Sequence, residues 1–161
     1  MPSVQIDTTH PALTARRNLA YVFTPKHHRA SQTSSRWLTA LTLDEEFAIF
    51  DRADGVVVQS PLLDNRQVAD ENGNLYGYEM LTNGPQKLRQ VGTWYQQLAE
   101  FPFQEAGAAW HGYPIWPIGP QAPQHLQGQK CRPDSQVFDR MVQLGDITPG
   151  ERKLLKRGDW I

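Results

Sequence analysis

Residues 101–126, FPFQEAGAAWHGYPIWPIGPQAPQHL, hold five prolines together with Phe101, Phe103, Trp110, Tyr113 and Trp116. Each proline removes a backbone donor and fixes φ, so neither a helix nor a central strand can run through the stretch. It is also too aromatic for a solvated linker. The expectation is a rigid, extended segment that lies across the rest of the fold and buries its rings there.

A chain of 161 residues has material for one core, so residues 1–161 are read as a single domain. The net charge of −1 gives no whole-chain bias toward nucleic acid or membrane. Cys131 is the only cysteine, which excludes an intrachain disulfide framework and a cysteine-only zinc site. The first residues have no apolar core of the kind a secretory signal needs, and no apolar run approaches a membrane span. A cytoplasmic protein without membrane partner or cofactor is expected.

The charges are segregated along the chain. No Asp or Glu occurs between Thr8 and Leu43, a segment that carries Arg16, Arg17, Lys26, Arg29 and Arg36 beside His10, His27 and His28. From Asp44 to Met80 the sign reverses, with nine acids against Arg52 and Arg66. Two such segments can neutralise one another by packing, or the first can offer a basic face to phosphate or an acidic partner.

Local patterns predict an α+β fold. Residues 1–10 read as irregular and mobile, 11–19 as a short helix opened by Pro11, and 20–24 as a strand stopped by Pro25. The alternating apolar residues of 36–43 predict a strand. Thr42 and Glu45 form a capping-box pattern ahead of a helix over 43–52. Val56–Gln59 reads as another strand. Asn72-Gly73 offers positive φ at the turn of a hairpin over 67–81, with Tyr76 and Tyr78 on one face. Leu88, Val91, Tyr95 and Leu98 recur at helical spacing and predict the main helix over 86–100, closed by Pro102.

Residues 134–161 predict a helical hairpin. Asp134 or Ser135 caps the first helix, and Gly145 stands where a left-handed residue would end it. Thr148, Pro149 and Glu151 open the second. The Gly145–Glu151 run, G-x-I-T-x-x-E, resembles the link of many small helical hairpins, and the likeness implies that topology alone. The architecture expected is a small antiparallel sheet packed on one main helix, wrapped by 101–126 and followed by this hairpin.

No strong catalytic motif is present. The histidines His10, His27, His28, His111 and His125 lack the i, i+4 spacing of a helical zinc site, and no C-x-x-C occurs, so no metal is expected. Phosphate-binding glycine loops and the G-x-S-x-G nucleophile turn are absent. Lys130 and Arg132 would lower the thiol pKa of Cys131, but a lone cysteine in a polar loop is an ordinary free thiol.

The leading expectation is therefore a non-enzymatic binding or accessory protein. Its contacts would come from Trp110, Tyr113 and Trp116 with Arg16, Arg17, Lys26, Arg29 and Arg36. The partner would be another protein, or nucleic acid bound through residues 8–43. The alternative is a small metal-independent nuclease, in which His27 or His28, with His111 and Arg29, moves protons around a phosphodiester.

Overall fold

The protein is described by a computed structural model covering residues 4–5, 21–29, 35–55, 66–105, 108–124 and 132–161. The elements are β1 (Val4–Gln5), β2 (Val22–Phe23), a short 3₁₀ turn (Pro25–His27), α1 (Leu43–Asp54), β3 (Leu75–Gly77), β4 (Leu98–Phe101), β5 (Tyr113–Trp116), α2 (Ser135–Gln143) and α3 (Pro149–Lys156). β1 and β2 pair antiparallel, so residues 4–5 are ordered as strand, contrary to the irregular stretch expected there. The other strands form an antiparallel sheet in the order β3-β4-β5, and the fold is α+β with a small sheet and a C-terminal helical hairpin.

The sheet is a wall between two cores. Successive strand residues point to opposite faces. Leu75, Ala99 and Phe101 enter one core with Tyr21, Trp37, Phe47 and Phe50. Tyr76, Leu98 and Ile115 enter the other with Phe138, Met141 and Leu155 of the hairpin. Gly77 lets α1 come close, because a Cβ there would lie 2.6 Å from the Ile49 carbonyl oxygen. Helix α1 starts with the anticipated capping box: Glu45 N–H donates to Thr42 Oγ1 and Thr42 N–H to Glu45 Oε1. Thr148 and Glu151 repeat it at α3.

Two expectations are corrected. The main helix that packs on the sheet is α1, and 86–100 is not helical: it bridges Met80 through Leu88 and Trp37 through Gly92, then becomes β4. Its apolar spacing does not describe one face, since Val91 belongs to the first core while Leu88 and Leu98 belong to the second. Gly92 and the run Val91, Thr93, Trp94, Tyr95 also weaken any helix there. Second, residues 36–43 carry a single bridge at Trp37 and a turn, with α1 starting at Leu43. Tyr76 and Tyr78 lie on one face as anticipated, and both are buried in the second core.

The 67–81 hairpin forms about its predicted turn. Gly73 has φ 84°, Asp70 accepts from Gly73, and Tyr76 N–H donates to the Val68 carbonyl, although the first arm is only a bridge at Ala69. The proline-rich stretch contributes β5, whose Pro114 is tolerated because β5 lies at the sheet edge. The expected helix at 11–19, the strand at 56–59 and the 127–131 connection lie outside the described residues. Among the described residues no helix is long and apolar enough to cross a membrane.

Candidate functional site

The chain from Tyr21 to Arg29 runs beside the approach to β5. Val22 N–H donates to the Trp110 carbonyl at 2.7 Å, and Trp37 N–H donates to the His27 carbonyl at 2.9 Å. These bonds fix two of the predicted site residues, Trp110 and His27. The His27 ring stacks on Tyr113 with centroids 4.9 Å apart, and its Nδ1 lies 2.8 Å from the Ser35 carbonyl oxygen. That carbonyl can only accept, so Nδ1 carries the proton and Nε2 presents a lone pair whenever His27 is neutral. His27 titrates below the ordinary histidine value because burial disfavours its charge. The charges of Lys26, His111 and His28 add to the effect, while the Ser35 carbonyl opposes it. His111 is lowered as well, by burial and then by Lys26.

His28 is withdrawn from this group. Its Nδ1 meets the Thr24 carbonyl at 2.8 Å and its Nε2 meets Glu46 Oε1 at 2.5 Å, while the Tyr21 hydroxyl donates to Glu46 Oε2 at 2.7 Å. Both imidazole nitrogens are therefore engaged, and Glu46 is buried beneath them. Burial works against the His28 charge, but the hydrogen bond and charge of Glu46 outweigh it and raise the pKa.

The predicted residues differ in their surroundings. Lys26 and Arg29 are exposed. Arg36 donates through Nη2 to Thr39 Oγ1 at 2.8 Å, and its Nε is buried without a partner. Trp110 packs on the first core beside Phe50 and Phe103. Trp116 is in the second core, where its indole N–H donates to the Leu155 carbonyl at 2.6 Å. Tyr113 is half-buried and its hydroxyl lies 3.4 Å from Glu100 Oε2. The Glu100 carboxyl is held above its usual range, by burial first and then by the charge of Asp70. Arg16, Arg17, His10, His125 and Cys131 lie outside the described residues. Among those described, no group of three or more His, Cys, Asp or Glu converges to hold a metal ion.

A second feature escaped the sequence reading. Tyr95 has φ 69°, the only positive value at a non-glycine among the described residues, and its side chain is 42% exposed. It faces Trp160, with ring centroids 5.2 Å apart and planes inclined at 56°, and the Trp160 indole N–H donates to the Tyr95 carbonyl at 2.6 Å. With Ile118, Pro120, Gln121 and Asp159 they line a cleft of about 360 Å³. No protein-family model matches the chain, and neither a curated protein nor a solved structure matches it significantly. Helical spacing hid Tyr95 within an apolar stripe, and nothing in the local sequence distinguishes Trp160 from a core tryptophan.

Proposed function

We propose that the protein is a binding protein that docks an extended, proline-bearing segment of a partner protein in the cleft lined by Tyr95, Trp160, Ile118 and Gln121. The observation that carries the reading is Tyr95 itself. A bulky residue at positive φ is disfavoured, by about 1–3 kcal/mol, and persists where surrounding structure enforces it. Here the enforced conformation accompanies a large ring that packs over Gly119 and yet remains 42% exposed beside a second aromatic ring.

The ligand class follows from shape and hydrogen bonding. The two rings touch and are inclined at 56°, so together they make an uneven wall of the cleft rather than a flat platform. An uneven aromatic wall suits the ridge of a pyrrolidine better than a planar base or a sugar face. A polyproline II segment also has its carbonyls free to accept. The Tyr95 hydroxyl, without a partner among the described residues, and the exposed Gln121 amide can donate to them.

Titration of the intrinsic fluorescence with a proline-rich decapeptide tests the reading. Trp160→Ala is expected to weaken binding at least about tenfold, in the manner of an aromatic anchor. Tyr95→Gly is expected to weaken it similarly while changing stability by only about 1 kcal/mol, because relief of the backbone offsets the lost ring contact. A peptide with every proline replaced by alanine should not bind. Equal affinity for the two peptides, or none for either, would remove the reading.

A further inference from the structure

The end of α3 concentrates positive charge at the mouth of the cleft. Arg152, Lys153, Lys156 and Arg157 fall within six residues that hold no acid. Helical spacing sets Lys153 beside Lys156 at i, i+3 and beside Arg157 at i, i+4, where like charges repel. The Arg157 N–H donates to the Lys153 carbonyl at 3.3 Å, so the spacing is kept through the cap. A further cation arrives from another part of the chain: Arg132 Nη1 donates to the Lys156 carbonyl at 3.3 Å. Cations complement a helix C-terminus, but that end carries only about half an elementary charge. Arg152 is paired with Asp139 at 2.7 Å, and Arg157 with Asp159. That leaves Arg132, Lys153 and Lys156 as charge in excess of what the helix end needs. The patch also runs directly into the cleft. Gly158 and Asp159 follow Arg157 and line the cleft, and the Arg157 guanidinium donates to Asp159 Oδ2.

We propose that the partner's segment carries aspartate or glutamate residues on one side of its proline, held by Arg132, Lys153 and Lys156 at the end of α3. This inference rests on the reading of the cleft as a proline-docking site and adds the sign of the flanking charge. A segment seated against Tyr95 and Trp160 that leaves over Gly158 passes the last turn of α3. Lys153 and Arg157 are about 6 Å apart along the helix axis, and two or three residues of an extended segment, at about 3.1 Å each, cover that length. Carboxylates on those residues relieve the repulsion among the cations, whereas a lysine-flanked segment adds to it. Asp159 is the one carboxylate among the lining residues, and its pairing with Arg157 offsets the charge that would oppose an acidic segment.

The test is fluorescence titration of the full chain with proline-rich peptides of one core sequence, flanked before or after the prolines by glutamates or by glutamines, three of either. One of the two glutamate placements should bind about tenfold tighter than its glutamine counterpart, as several exposed ion pairs together allow. That advantage should shrink between about 0.05 and 0.5 M salt, because exposed charges are screened. Lys153→Gln combined with Lys156→Gln should abolish the advantage and leave the affinity for the glutamine-flanked peptide unchanged, since neither lysine lines the cleft. Thermal unfolding should show the double variant folded. Equal affinity for glutamate-flanked and glutamine-flanked peptides would overturn this inference and leave the proline reading standing. An advantage that survives the double lysine change would overturn it as well. Binding of a glutamate-flanked peptide whose prolines are all alanine, as tight as that of its proline form, would overturn both, and so would no binding of any peptide.

Discussion

In His28, burial disfavours the imidazolium, yet Glu46 at 2.5 Å restores it and carries the pKa above the ordinary value. Among the described residues no carboxylate acts on its neighbour His27, which is lowered, first by burial. The two therefore act on stability with opposite sign. A raised pKa contributes stability that is fully present below the unfolded value, near 6.5, and is lost as pH rises through the folded value. A lowered one disfavours the fold as pH drops below the unfolded value. Glu46→Gln isolates the first effect. It should bring the His28 titration midpoint down, read by NMR, and the stability gap between the two proteins should be widest below about pH 6.5 and narrow above it. A wild-type midpoint for His28 at or below that of His27 would refute the assignment. Neither fate was legible in the dipeptide, because Glu46 sits on α1 and Tyr113 on β5.

The helices follow local chemistry closely. Thr42 and Thr148 both accept from the N–H three residues on, and both boxes were readable as Thr-x-x-Glu. Thr42→Ala and Thr148→Ala should each cost about 1 kcal/mol in denaturant unfolding. Asp134 stands at the α2 N-cap without a side-chain cap bond, so Asp134→Ala should stay within about 0.5 kcal/mol. β4 shows where local reasoning fails. Leu98–Phe101 has no strand alternation that outweighs the helical spacing before it, and its state is set by pairing with β3 on one side and β5 on the other. Buried glutamines complete the segment before it: Gln96 Oε1 accepts from Trp94 N–H, and Gln97 Nε2 donates to the carbonyls of Leu88 and Ile161. Those bonds supply the irregular backbone with partners that a helix would have supplied internally.

Two cores on either side of one three-stranded wall make the C-terminal hairpin part of the body of the protein. Trp116 joins them most directly, since its ring packs in the second core and its N–H holds the last turn of α3 at Leu155. Trp116→Ala should cost about 3–5 kcal/mol, and amide exchange should rise in α2 and α3 before it rises in α1. Uniform exchange across all three helices would argue against two cores. The amino-acid sequence alone set the caps of α1 and α3, the Asn72-Gly73 turn, the hairpin at 134–161 and the exclusion of β5 from the sheet centre. Each of these depends on φ preferences, missing donors or hydrogen bonds within a few residues. Tertiary structure decided that 98–101 is a strand, that Trp116 turns inward, that His27 rather than His28 meets Tyr113, and that Tyr95 meets Trp160. Those outcomes rest on partners from 13 residues away, as Glu100 is from Tyr113, to 86, as His27 is from Tyr113, and no local preference encodes which partner arrives.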